Sequence, residues 1–284
     1  RSLCQPPASP PLLSSLQHHF SCLQGNTTAA TLSPSNFLSL SRPSWFVEGE
    51  QQDCSEFLTA LLSGLQEEGG EQPGPGGDCR ADTWCPVRQV FGGRMETRHE
   101  CLACRAVSRH TDWFTDLHLP VTEVLEEAVV LPSLAHLPHI TVSWTPASQA
   151  PSLDQLLAAS LAPETLAGEN QYQCDTCGGL RDATKTVTVV TAPRVLVLVL
   201  LRFEYDSESQ VRKKLSTVVE YPDELYVEAE EGRVGYRLQT VVVHSGEDSQ
   251  EGHYFTWARQ QVGQGWWLTY SLRMAAGSYS TTAW

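Results

Sequence analysis

The chain has 284 residues, 41% hydrophobic and 18% charged, enough apolar material for one large core or two modest ones. No apolar run approaches the roughly 20 residues that cross a bilayer. The formal charge of −14 opposes a nucleic-acid partner and favours a basic one. Nine cysteines, four of them in metal-ligand spacing, fit a reducing compartment, cytoplasmic or nuclear, better than a disulfide framework. In that setting the Asn26-Thr27-Thr28 sequon is not a glycan site. The first residues, Arg1-Ser2-Leu3-Cys4-Gln5-Pro6-Pro7, lack the order of a signal peptide. The chain does not begin with Met, and it is expected to be a piece of a longer protein.

Residues 12–23 carry Leu12, Leu13, Leu16, Phe20 and Leu23 at helical spacing and predict a short amphipathic helix. Pro34, Pro43 and polar residues make a connector up to Trp45-Phe46. A second helix starts at Asp53, a good N-cap with Glu56 three residues later, and Phe57, Leu58, Leu61, Leu62 and Leu65 form its apolar face. Gly69 to Gly77, with Pro73 and Pro75, reads as a loop. From Phe91 the pattern turns to β, with Trp113 to Leu119 alternating as one strand up to Pro120. Residues 123–151 have no firm period and are treated as a variable insert. A helix over Ser152 to Leu161 follows. Thr186 to Phe203 holds two strands about Ala192-Pro193, the second, Val195 to Leu201, apolar enough to be buried on both faces. Gln239–His244, His253–Arg259 and Trp266–Leu268 read as further antiparallel strands. The sum is an α+β fold.

Two Cys-x-x-Cys pairs, Cys101–Cys104 and Cys174–Cys177, carry the sharpest chemistry. Each pair can set two thiolates on one tight turn, and two such turns complete a tetrahedral S₄ set that suits Zn²⁺. Four buried small residues are the plainer reading, but two pairs, each in turn-compatible surroundings, argue against coincidence. All four ligands come from protein, so the metal is structural rather than catalytic.

Gln51-Gln52-Asp53-Cys54-Ser55-Glu56-Phe57 resembles the Gln-Gln-Asp-x-x-Glu-Phe box of the ubiquitin-specific proteases, also called ubiquitin carboxyl-terminal hydrolases or peptidase family C19. Further stretches match that family in order. Asn170 to Cys177 is similar to its second zinc knuckle. Ala183-Thr184-Lys185 with Pro193-Arg194-Val195-Leu196 through Leu201-Arg202-Phe203 is similar to the core strand that ends in Arg-Phe. Val241-Val242-Val243-His244-Ser245-Gly246 and Gly252-His253-Tyr254 resemble the histidine box. The resemblance covers nearly the whole chain except residues 123–151, and the Trp45-Phe46 approach resembles the ubiquitin-specific peptidase 35/38 subgroup.

The resemblance implies a papain-like fold of thumb, palm and zinc-stabilised fingers, truncated at both ends. Residues 1–90 would be a partial thumb, 91–203 fingers and palm, and 204–284 the palm with the histidine box. It implies thiol hydrolysis of the bond after the C-terminal Gly of ubiquitin, with ubiquitin and ubiquitinated proteins as partners. By family position His253 is the general base and His244 supports it. Gln52, Asp53, Glu56 and His244 are ubiquitin-binding by the same resemblance, and Asp53 would accept N–H bonds from the ubiquitin tail. A helix cap explains Asp53 and Glu56 equally well.

Thiol hydrolysis needs a thiolate, a histidine and an acceptor that orients it. The family's Gly-Asn-Thr-Cys box is found nowhere in the 284 residues. Gly25-Asn26-Thr27-Thr28 imitates it with Thr for Cys, but it follows the first helix and lacks the downstream Met-Asn-Ser helix start. Cys54 sits where a helix dipole would favour thiolate, though a small packing residue fits the position as well. Where the family has Asn or Asp as the third member, Tyr270 stands, followed by Ser271. A tyrosine hydroxyl accepts a hydrogen bond but carries no charge to stabilise an imidazolium. The readings in play are therefore a deubiquitinase domain without its nucleophile box, inactive as this chain alone, and a ubiquitin-binding pseudoenzyme. A zinc-stabilised interaction module and a thiol protease using Cys54 with His253 stand behind them.

Overall fold

Leu12, Leu13 and Leu16 do fall on a helix, and its first turn shows how the local structure is closed. In the computed structural model, which describes residues 11–24, 35–47, 50–68, 85–121, 150–206, 210–246, 251–262 and 265–273, α1 spans Pro11–Gln24. Proline at the first helical position gives up only an N–H with no intrahelical partner. The next two N–H groups donate to the Glu68 carboxylate, Leu12 N to Oε1 at 2.9 Å and Leu13 N to Oε2 at 3.1 Å. A negative group at a helix N-terminus also meets the positive end of the helix dipole.

In chain order, α2 (Ser35–Ser41), α3 (Cys54–Glu68) and α4 (Pro86–Phe91) precede strands β1 (Gly93–Cys101), β2 (Val107–Phe114) and β3 (Leu117–Pro120). Helix α5 (Leu153–Ser160) follows, then β4 (Glu164–Leu166), β5 (Tyr172–Cys174), β6 (Gly179–Arg181), β7 (Ala183–Thr191) and β8 (Leu198–Leu201). The rest is β9 (Phe203–Asp206), β10 (Val211–Lys214), β11 (Glu224–Ala229), β12 (Gly232–Arg237), β13 (Thr240–Ser245), β14 (His253–Val262) and β15 (Gly265–Arg273). The fold is α+β, as the sequence predicts. Among the described residues no helix is long and apolar enough to cross a membrane.

The chain divides into two compact units. The first holds the described residues of Arg1–Leu117, Pro163–Val199 and Val227–Tyr236. Its helical part buries Leu12, Leu62, Leu65, Cys85 and Val87 in one cluster, with Leu16, Phe37, Leu58 and Phe91 packed against it. Removing Leu62 or Leu65 to Ala is a change of the kind that costs about 2–5 kcal/mol. Its β part is the sheet β12-β11-β7-β1-β2, with β4 paired to β7. Strand β7 is the centre, antiparallel to β1 and β4 and parallel to β11, and β1 in turn pairs antiparallel with β2. Gly93 lies opposite Phe114, whose ring occupies the space a Cβ would need, 2.3 Å away.

The second unit holds the described residues of His118–Ala162, Leu200–Tyr226 and Arg237–Trp284. Ser152 caps α5 with a reciprocal capping box to Gln155, and Leu153 N donates to Glu220 O at 2.7 Å. Strands β9 and β10 form a hairpin, and β13-β14-β15 a three-stranded antiparallel sheet. An ion pair ties that sheet to the segment before β11, Arg259 Nη2 lying 2.8 and 3.0 Å from the two Asp223 oxygens.

Three expectations change. The connector after residue 34 contains a helix, α2, which the polar Ser-rich sequence does not announce; Phe37 supplies its inward contact. The single strand over Trp113–Leu119 is broken at Thr115-Asp116. Phe114 and Leu117 are both buried, and three residues apart on one strand they would face opposite ways. The apolar run Val195–Leu201 is not buried on both faces. Only Leu198–Leu201 is strand, paired among the described residues with β3 alone, and Val195 and Leu201 are 44% and 39% exposed. The loop over Gly69–Gly77, the Gly25–Thr28 imitation and nearly all of the 123–151 insert lie outside the described residues.

Candidate functional site

The four cysteines converge. Cys101 closes β1 and Cys174 closes β5, and both are buried. Each is followed by the same turn. Arg105 N donates to Cys101 O at 2.9 Å with Arg105 at φ 63°, and Gly178 N donates to Cys174 O at 2.9 Å with Gly178 at φ 67°. A Cβ on Gly178 would meet nothing, so glycine serves there for its left-handed backbone and not for space. The two knuckles are joined through Leu102 N, which donates to Asp182 O at 2.8 Å, and through the β1–β7 pairing of Cys101 with Ala183.

This geometry brings all four Sγ atoms within 4.8 Å of one another. Cys104 Sγ and Cys174 Sγ are 3.6 Å apart, and Cys101 Sγ and Cys177 Sγ 4.0 Å. A tetrahedron with metal–sulfur bonds of about 2.3 Å has edges of about 3.8 Å, so the set fits an S₄ metal ion. The crowding shifts two of the thiols in opposite directions. Backbone N–H groups of Cys104 and Ala103 pull the Cys101 thiol down to about 7. Cys177 is pushed up to about 12, chiefly by its contact with Cys104 and by burial. Four thiolates this close repel one another unless a cation shares them.

The Gln-Gln-Asp box opens α3. Asp53 Oδ1 accepts from Ser55 N at 2.7 Å and Glu56 N at 3.1 Å, and also from the Ser55 hydroxyl. Asp53 is therefore the N-cap that the sequence predicts. Cys54 is the first residue of α3 and half-buried, Gln52 is half-buried, and Glu56 is exposed.

The histidine box is a hairpin end. Ser245 pairs with His253 and His244 with Tyr254 across β13 and β14. The His244 ring lies between two aromatic rings, edge-on to Phe203 at 5.3 Å and tilted to Tyr254 at 4.9 Å. Gly252 crosses directly over it. A Cβ there would lie 2.3 Å from His244 Nε2 and 2.5 Å from Ser245 O, and one on Gly246 would lie 2.2 Å from Glu251 O. Both glycines are thus required by close approach at the neck that delivers His253. Tyr270 stands opposite Trp257, four residues along β14 from His253. Between Phe255 and Trp257 the register shifts, leaving Ser271 and Leu272 opposite Thr256 alone. Cys54 belongs to the first unit and His253 to the second.

Sequence reading missed Lys214, whose ammonium donates to His244 O at 3.1 Å and Gly246 O at 2.6 Å. In Val211-Arg212-Lys213-Lys214 it reads as one more solvated charge, and no spacing rule singles it out.

An α+β domain with paired cysteine knuckles and a glycine-necked histidine hairpin is the class that fold and site define. The family model described as "Ubiquitin carboxyl-terminal hydrolase" matches residues 2–274, and the chain belongs to that family. Among human relatives it is 26% identical to ubiquitin carboxyl-terminal hydrolase 35, over 89% of this chain and 39% of that protein. It is 28% identical to ubiquitin carboxyl-terminal hydrolase 17-like protein 15, over 91% of this chain and 42% of that protein. With 17-like protein 6 it shares 28% identity, over 91% of this chain and 59% of that protein. The chain spans about two fifths of the length of the first two relatives.

Proposed function

We propose that this chain is the ubiquitin-engaging palm and fingers of a deubiquitinase, with a partial thumb over residues 1–90, fingers and palm over 91–203, and palm over 204–284. Its cysteine cluster holds a structural Zn²⁺, His253 is the general base, and Gln52, Asp53 and Glu56 form the box that meets the ubiquitin tail. His244 supports the hairpin. The partners are ubiquitin and ubiquitinated proteins in the cytoplasm or nucleus, with no role for nucleic acid. Family membership over residues 2–274 is the observation that carries this reading.

In the active protein a cysteine thiolate attacks the carbonyl carbon of ubiquitin's last Gly, breaking its bond to the leaving amine and forming a thioester that water then hydrolyses. His253 takes the thiol proton and returns it to the leaving amine. No Gly-Asn-Thr-Cys box lies in these 284 residues, so the purified chain is expected to bind ubiquitin without turning over a ubiquitin–fluorophore conjugate. Turnover that survives Cys54→Ser would defeat the expected inactivity; turnover abolished by that substitution would assign catalysis to Cys54. A second reading, a ubiquitin-binding pseudoenzyme, draws on Tyr270, a tyrosine where the family has Asn or Asp. Ubiquitin affinity without turnover in the longest natural form of the protein would favour it.

A further inference from the structure

Beyond the family assignment, the second unit contains a clasp whose parts come from three separate stretches of sequence. Lys214 ends β10 and pairs in register with Phe203 on β9. The base of this hairpin is fixed: Leu215 is buried, its N–H donates to Arg202 O at 2.7 Å, and Arg202 Nη1 donates to Leu215 O at 3.2 Å and Thr217 O at 2.6 Å. From this support two side chains reach the end of β13. The Phe203 ring packs edge-on against the His244 ring at 5.3 Å. The Lys214 ammonium donates to the carbonyls of His244 and Gly246, the residues on either side of Ser245.

Ser245 is the register partner of His253, and Gly252 lies in contact with the His244 ring. Whatever fixes residues 244–246 therefore fixes the chain that carries His253. We propose that Lys214 is a positioning residue for His253, its ammonium tying the two carbonyls at the neck of the hairpin so that the imidazole is held in one place. A cation suits this task, because a charge-assisted bond to each carbonyl is stronger than a neutral one and one ammonium has donors for both. Phe203 supplies the apolar half of the same support, which gives the Arg202-Phe203 pair a role at each residue. The role of His253 as base rests on the function proposed above; the clasp itself does not.

The test is hydrogen exchange read by NMR on the full 284-residue chain with zinc present. In Lys214→Met, amide exchange at Ser245, Gly246, Gly252 and His253 is expected to quicken about tenfold or more, and the His253 ring resonances to move or broaden. Lys214→Arg, which still has two donors, should restore both. Unchanged exchange at these four amides in Lys214→Met overturns the clasp, as does failure of Lys214→Arg to restore it. Equal acceleration over residues 93–114 in the first unit would mean general loosening and would overturn it as well. Ubiquitin binding by the unaltered chain is measured separately. Its absence would refute the deubiquitinase reading and leave the exchange result to decide the clasp.

Discussion

The cysteine cluster and the histidine hairpin are built on opposite plans. At the cluster, four copies of one chemistry are delivered by two copies of one turn, and the backbone does nearly all the positioning. At the hairpin, a single histidine depends on unlike neighbours: two glycines that permit close approach, two aromatic rings, and a lysine from another strand pair. Repetition makes a site robust to read and abrupt to lose. A site of unlike parts should fail by degrees, one contact at a time.

That contrast predicts the largest effect at the cluster. Cys174→Ser should abolish binding of one equivalent of zinc and cost at least ~3 kcal/mol of stability, since structural zinc supplies folding free energy directly. Chelation of the unaltered chain should do the same, both measured by metal analysis and chemical denaturation. Full stability after zinc removal would break the comparison at its stronger end.

Next comes Gly252→Val at the hairpin neck. Its Cβ would fall on His244 Nε2 and Ser245 O, so a loss of about 2 kcal/mol is expected, with NMR shift changes confined to residues 240–262. A change spread through the zinc knuckles would show that the two sites are not independent.

Asp53 sharpens the comparison, because one residue is offered two jobs. Asp53→Ala should lose about 1 kcal/mol of stability through the lost cap. Asp53→Asn keeps a capping acceptor and should leave stability nearly unchanged while weakening ubiquitin binding by roughly tenfold, the charge-assisted part of a tail contact. Equal ubiquitin affinity for Asp53→Asn and the unaltered chain would leave Asp53 as a cap alone.

The smallest effect is electrostatic. Glu224 accepts from Arg237 at 3.0 Å and from the Tyr226 hydroxyl at 3.2 Å, and these bonds, the Arg237 one foremost, hold its pKa below the ordinary carboxylate value. A depressed folded pKa stabilises the fold above the unfolded value, and that stability is lost as pH falls through the folded one. The urea midpoint of Glu224→Gln should therefore lie slightly below that of the unaltered chain at neutral pH, and the gap should close on acidification. A gap that widens in acid would reverse the assignment.

How much of this was legible in the sequence follows the same division. Cys-x-x-Cys spacing announces the cluster, and Asp53 announces its helix, because a cap is a local contract between a side chain and the next turn; the capping box of Ser152 with Gln155 is seen only in the structure. Lys214 was invisible, since its worth lies in carbonyls 30 and 32 residues away. Helix α2 is hard to read from sequence because Phe37, which packs against the helical core, stands in a serine-rich stretch. The run Val195–Leu201 is apolar without being buried: among the described residues β8 has one partner strand, β3. In sequence Gly246 and Gly252 are parts of a motif; only the structure gives their reason, a ring and a carbonyl where side chains would stand.

The central claim is that this chain engages ubiquitin through a domain whose two sites do separate work. The most direct measurement is a titration of labelled ubiquitin with the zinc-loaded 284-residue chain, run beside His253→Ala and Asp53→Asn. The account predicts saturable one-to-one binding that survives His253→Ala and weakens in Asp53→Asn. A folded, zinc-loaded chain that shows no saturable binding to ubiquitin would contradict it.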